Sequence, residues 1–221
     1  MDMRHKEALN YIKQGHLRKA EMIYREFIAY GFEDYMTFTN LASICGLTNR
    51  RQESIKYMYK ALELSTNLPE VYSNLAIILR EDKKWYEAIN CYKKAMKLDP
   101  VSPTIYYNYG NLLRERGELS PAIRSYKKSI DIKPDSSDSY FNLANTYRED
   151  RRHIQAIVYY KKSITLNPKS IDPYLNITHT LYEIGSYTKA LRSVNIIVRI
   201  TPWSIRASAL QGQIHDALAK C

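Results

Sequence analysis

Prolines fall at Pro100, Pro134, Pro168 and Pro202, each 34 residues after the last. Two other residue types keep the same step: Asn40, Asn74, Asn108, Asn142 and Asn176, and Ala88, Ala122, Ala156 and Ala190. A single fixed period over nearly the whole chain is the signature of a stacked-repeat array, in which each unit packs only on its neighbours. The stretch Ser137 to Lys169 displays one unit: two helical patterns joined by a short turn. Counted from their first helical residues, the units start at Met1, Tyr35, Pro69, Pro103, Ser137 and Ile171, giving repeats of about 1–34, 35–68, 69–102, 103–136, 137–170 and 171–204.

Local chemistry fits that frame. The first helix is expected over positions 1–14 of each unit, the turn at 15–16 and the second helix over 17–30. Gly15, Asn49, Gly117 and Gly185 fall at position 15, where a helix ends and φ is often positive. Pro69 and Pro103 suit a first helical turn, which has no use for their missing N–H. Ser120-Pro121 reads as an N-cap and N1 pair, and Asp135, Ser136 and Ser137 offer caps for the fifth unit. Tyr140, Leu143, Ala144 and Tyr147 form one apolar stripe at helical spacing, and Ala156, Tyr160 and Ser163 form the facing one. Positions 8, 20 and 27 stay small, so that two helices approach closely; a larger side chain at Ala88 or Ala156 should cost about 1–3 kcal/mol through overpacking.

Small residues at 8, 20 and 27, large ones at 4, 7, 11 and 24, and proline at 32 resemble the tetratricopeptide repeat. The fifth unit carries the pattern in Tyr140, Leu143, Ala144, Tyr147, Ala156, Tyr160, Ser163 and Pro168. The ends depart from it. Arg4 and Glu7 replace large apolar residues; Cys45, Ser54, Met58 and Thr66 occupy positions 11, 20, 24 and 32 of the second unit; Val194 and Ile197 alter the sixth. The resemblance implies an all-α fold, a right-handed α-α superhelix, as one solenoid over 1–221. A final helix, about 203–220, has Gln211, Gly212 and His215 at expected core positions and reads as a cap, the alternative being the first helix of a seventh repeat.

Composition bounds the functional classes. With 25% charged and 45% hydrophobic residues the chain is expected to fold rather than stay disordered. Cys45, Cys91 and Cys221 have no C-x-x-C pairing and read as reduced thiols, and Met1 leads into charged residues rather than a signal peptide, so a cytoplasmic setting is expected. No apolar run approaches the roughly 20 residues of a membrane span. Asn176-Ile177-Thr178 matches a glycosylation acceptor by chance in a helix. No phosphate loop, metal-ligand cluster or nucleophile motif is present, so neither cofactor nor metal is expected, and an enzyme is argued against. His179 and Glu183 could act as acid and base, but their spacing is also that of an ordinary surface pair.

The resemblance places positions 2, 5, 6, 9, 12 and 13 of the first helices on a concave groove. There the chain offers Asn40, Asn74, Asn108, Asn142 and Asn176 at position 6, Asn111 and Asn145 at position 9, and Arg80, Arg114 and Arg148 at position 12. Each amide has both donors and an acceptor, so a row of them can hold the backbone of an extended peptide. Tyr107, Phe141 and Leu175 at position 5 should add apolar surface. The strings NYGNLLRE and NLANTYRE look like the inner helices of the repeat region of O-linked N-acetylglucosamine transferase, where an Asn ladder grips substrate peptides. The family's chaperone-tail clamp is not matched, since position 2 carries no Lys and position 6 no Arg.

The expected function is therefore a non-enzymatic scaffold for an extended peptide of a partner protein. One alternative is the substrate-recruiting arm of a larger enzyme such as a glycosyltransferase. Another is a nucleic-acid or acidic-surface binder using Lys93-Lys94, Lys127-Lys128 and Lys161-Lys162, favoured by the net charge of +10 but argued against by the lack of a base-stacking platform. Self-association into a homo-oligomer stays open.

Overall fold

The structure, a computed structural model, describes residues 2–220. Met1 and Cys221, counted above as the first unit's start and as a thiol, lie outside the described residues. Those residues form thirteen α-helices and no strand, the all-α repeat fold that the period predicts. They divide into two compact units, Met1–Val101 and Ser102–Cys221.

The first unit holds α1 (Asp2–Lys13), α2 (Leu17–Ala29), α3 (Tyr35–Leu47), α4 (Arg51–Leu64), α5 (Pro69–Glu81) and α6 (Trp85–Leu98). Its helices pair as α1 with α2, α3 with α4 and α5 with α6, and successive pairs meet through α2 on α3 and α4 on α5. Ala8, Ala20, Ala42, Ala76 and Ala88 are fully buried at the close approaches. Ser54 takes the alanine position in α4 and satisfies its hydroxyl by donating to the Ala42 carbonyl at 2.6 Å. Position 27 is not always small: Phe27 fills it in the first repeat, packed edge-on against Tyr24. Arg50 forks onto both carboxylate oxygens of Glu21 at 2.8 and 2.6 Å, tying α4's start to α2. That guanidinium holds the Glu21 carboxyl below its usual range.

The second unit holds α7 (Pro103–Glu115), α8 (Leu119–Ile132), α9 (Ser137–Glu149), α10 (His153–Leu166), α11 (Asp172–Glu183), α12 (Tyr187–Ile200) and α13 (Ile205–Ala219). Here α7 packs on α9, α9 on α11 and α11 on α13, so the first helices lie side by side, while α8, α10 and α12 join each pair to the next. Gly110, Ala122, Ala144, Ala156, Thr178 and Ala190 are buried where helices cross, and Tyr126 and Tyr160 are fully buried at position 24.

Position 15 has positive φ in every repeat: Gly15 at 77°, Asn49 at 60°, Gly117 at 77° and Gly185 at 73°, but also Lys83 at 58° and Arg151 at 56°, which the sequence did not mark. Pro69 and Pro103 stand in the first turns of α5 and α7, and Ser136 caps α9 by accepting from the Ser139 amide. The Ser120-Pro121 start is corrected: α8 begins at Leu119 after Glu118. Pro121 is then N3, still among the N–H groups without an intrahelical acceptor, so its ring breaks no bond. α11 starts one residue later than expected, at Asp172. The last helix begins at Ile205, with Ser204 as its cap, and Trp203 lies outside it, 81% exposed. Its packed face is Ala207, Leu210 and Ile214 rather than Gln211, Gly212 and His215, because it sits one register over from the expected core positions. Among the described residues no helix is long and apolar enough to cross a membrane.

Candidate functional site

The first helices of the second unit, α7, α9 and α11, bring a row of polar side chains together. Their helical register puts positions 5, 6, 9 and 12 on one face, and the burial of the opposite stripe, Leu112, Leu143 and Ala144 among others, fixes which face that is.

Tyrosines from the second helices anchor the row. The Tyr126 hydroxyl donates to Oδ1 of Asn111 at 2.6 Å, and the Tyr160 hydroxyl donates to Oδ1 of Asn145 at 2.6 Å. Burial pushes the Tyr160 phenol up to about 12 and the Tyr126 phenol up as well, so both stay neutral donors. The next repeat's asparagine then donates to the same oxygen: Asn142 Nδ2 to Asn111 at 3.3 Å, and Asn176 Nδ2 to Asn145 at 2.8 Å. Asn142 also donates to the Tyr107 hydroxyl at 2.7 Å and accepts from Arg114 at 3.3 Å, while Arg114 Nε reaches Glu149 of the following repeat at 3.1 Å.

The remaining capacity can be counted. A carbonyl oxygen accepts about two hydrogen bonds and an amide nitrogen donates two. The oxygens of Asn111 and Asn145 are filled, and their N–H groups have no partner among the described residues. Asn145 is buried, at 8% exposure. Asn176 keeps its oxygen. Asn40, Asn74 and Asn108 make no side-chain hydrogen bond among the described residues; Asn74 is exposed and the other two are half-buried. Arg80 and Arg148 are half-buried at the ends of α5 and α9.

Position 5 behaves differently from the expectation. The Tyr107 ring packs edge-on to Tyr126 and the Phe141 ring tilts on Tyr160, each with centroids 6.0 Å apart. Both keep part of their surface open. Leu175 offers little: it is buried in the cluster of Ala190, Val194, Ala207 and Leu210, because α13 closes over it. Beside it, a polar cleft of about 320 Å³ opens between α11 and α13, lined by Asp172, Asn176, His179, Arg206 and Gln213.

The tyrosine anchors are what sequence reasoning missed. Their signal was present: both units with Asn at position 9 carry Tyr fifteen residues later. In the first repeat position 9 is Leu9, and the buried Tyr24 hydroxyl has no hydrogen-bond partner among the described residues.

The chemistry for catalysis is not assembled at this row. Burial pushes the Cys45 and Cys91 thiols up to about 11, away from the thiolate a nucleophile needs. Glu183 lies 3.8 Å from Nδ1 of His153 and makes no bond to His179 among the described residues. No cluster of His, Cys, Asp or Glu among those residues could hold a metal ion. Of the lysine stripe, Lys94 sits over the Tyr72 ring and Lys127 over the Tyr147 ring.

Family models for the tetratricopeptide repeat match residues 37–68 and 137–170, and a TPR repeat model matches 78–113 and 110–150. No curated protein matches the sequence. Among solved structures the chain is similar to PilW, described as a widely conserved type IV pilus biogenesis factor, with a TM-score of 0.84 at 17% identity over 95% of this chain and 97% of that one. It is also similar to PilF of Pseudomonas aeruginosa, with a TM-score of 0.79 at 17% identity over 96% of each. A third is YrrB, described as a TPR protein with an unusual peptide-binding site, with a TM-score of 0.68 at 17% identity over 86% of this chain and 97% of that one. At these identities the likeness is one of fold.

Proposed function

This chain belongs to the tetratricopeptide repeat family, and from the polar face of its second unit we propose that it is a non-enzymatic scaffold holding an extended segment of a partner protein. The observation that carries the reading is the fixed orientation of Asn111 and Asn145. A buried tyrosine hydroxyl and the next repeat's amide occupy each oxygen, so the N–H edge is the one left unpaired. An array of such donors suits the carbonyl groups of a peptide backbone, and its side chains have been ordered before any partner arrives, which lowers the cost of binding. Tyr107 and Phe141 supply apolar surface between the polar groups. The likeness of NYGNLLRE and NLANTYRE to the transferase repeat region supports the same mode, and YrrB, a neighbour in fold, is described as having an unusual peptide-binding site. The reading keeps 1–221 as one repeat array, with Asn40 and Asn74 the corresponding residues of the first unit and α13 as the cap of the second.

Asn108, on α7 of the same unit, is the residue to test, because removing its amide breaks no hydrogen bond among the described residues. A random-peptide display library selected on the 221-residue chain supplies the ligand. Asn108→Ala is expected to weaken the selected peptide by roughly tenfold, with an unchanged circular dichroism spectrum. Unchanged affinity in the folded variant would overturn the reading.

A further inference from the structure

The second helices of the same unit carry a surface that the groove reading leaves unused. Between α8 and α10 lies an open cleft of about 620 Å³. Tyr140 and Tyr159 line its floor, stacked with centroids 6.2 Å apart, and the buried Tyr147 backs Tyr159 at 5.3 Å with the planes 2° from parallel. Ile154 and Val158, one helical turn apart on α10, stand at its side with 68% and 52% of their surface exposed. The same two positions in the other repeats are Arg18 and Met22, Gln52 and Lys56, Tyr86 and Asn90, Ser120 and Arg124, and Thr188 and Arg192. Only the fifth repeat is apolar at both, so its exposed pair is not a demand of the fold. Lys127 and Lys162 border the cleft, with Lys128 and Lys161 exposed next to them and Asp131 the one acid in its lining.

We propose that this cleft docks an acidic amphipathic helix of a partner protein. Two flanking helices form a trough that accepts the apolar stripe of a third, and Ile154, Val158, Tyr140 and Tyr159 are the surface for that stripe. Lys127 and Lys162 then meet carboxylates on its flanks. Charge argues against a second copy of this chain as the occupant: it carries +10 overall, so a copy approaching a basic rim is repelled, whereas an acidic helix is steered in. The site is separate from the asparagine row and does not depend on it.

The probe is a fluorescein-labelled helical peptide with leucine at i, i+3, i+4 and i+7 and glutamate elsewhere, paired with the same peptide carrying lysine for glutamate. Fluorescence anisotropy on the full 221-residue chain reads binding. The glutamate peptide is expected to bind, and to weaken as salt rises. Ile154→Gln with Val158→Lys copies the polar pair of the second repeat and so should leave the fold intact. It is expected to weaken the peptide roughly tenfold or more, as is Lys127→Glu with Lys162→Glu, while Asn108→Ala leaves it unchanged. The proposal is overturned by failure of the glutamate peptide to bind, by equal binding of the lysine peptide, or by undiminished binding to the Ile154→Gln, Val158→Lys variant. Sedimentation that shows a dimer abolished by that same variant would overturn it in favour of a second copy.

Discussion

Asn145 gives its carbonyl oxygen to the fold, accepting from both Tyr160 and Asn176 while itself buried at 8% exposure. Replacing it with alanine strands the Tyr160 hydroxyl, whose ring is fully buried. An unsatisfied buried hydroxyl costs about 1–3 kcal/mol, so Asn145→Ala should lower the urea midpoint by that much stability. Adding Tyr160→Phe removes the orphan and should recover part of the loss; a double variant no more stable than Asn145→Ala would mean the bond is not what stabilises the pair. Gly110 makes a second point at this scale. A Cβ there would lie 2.8, 2.9 and 3.0 Å from three atoms of the Tyr126 ring. That ring is buried and tethered through its hydroxyl to Asn111, so it cannot swing aside. Glycine to alanine inside a helix ordinarily gains up to about 1 kcal/mol, but overpacking costs about 1–3 kcal/mol, and the clash should win. Gly110→Ala is expected to lower the melting temperature by a few degrees, and a rise would show that the ring has room to move.

Each helix pair turns on one residue of left-handed backbone at position 15. Lys83 and Arg151 occupy it without being glycine, and a non-glycine residue there is strained by roughly 1 kcal/mol. Both are exposed, so Lys83→Gly and Arg151→Gly should each raise stability by about 0.5–1 kcal/mol, read as a higher thermal midpoint. A fall would mean that their side chains contribute more than the backbone strain costs. These two turns also mark what the sequence concealed. Gly15, Gly117 and Gly185 announce a left-handed turn because glycine alone adopts it without penalty. Lys83 and Arg151 do so only through the period. Helix bounds were legible to within a residue or two, because the small positions and the proline step repeat. The Ser120-Pro121 start was misjudged because proline is tolerated throughout the first helical turn, so its presence does not say which residue of that turn it is. At the site, residue identity located the asparagines but not their hydrogen bonds. Which amide edge is spent on the fold depends on tyrosines fifteen residues away, and Leu175 is hidden by a helix that the period alone put in the wrong register.

Over the whole molecule, stability should be graded rather than uniform, because a repeat array sums nearest-neighbour interfaces. In the second unit α9 is packed against α7, α8, α10 and α11, whereas α13 rests on α12 and α11. In the first unit α1 packs chiefly on α2. Opening α1 or α13 therefore breaks fewer interfaces than opening α9, and partial opening of such elements costs less than global unfolding. Native-state hydrogen exchange is expected to show amides of α1 and α13 exchanging fastest, with those of α9 and α10 exchanging only near the global unfolding free energy. The polar row spans α7, α9 and α11, so its central anchor, Asn145, falls on α9, the helix expected to be best protected. A peptide bound along the row should slow exchange most in α11, the row helix nearest the less stable end, because ordering that end adds to what is already held. Uniform protection across all thirteen helices, unaltered by a bound peptide, would contradict the graded array and with it the view that the row is rigid at its centre and adaptable at its edge.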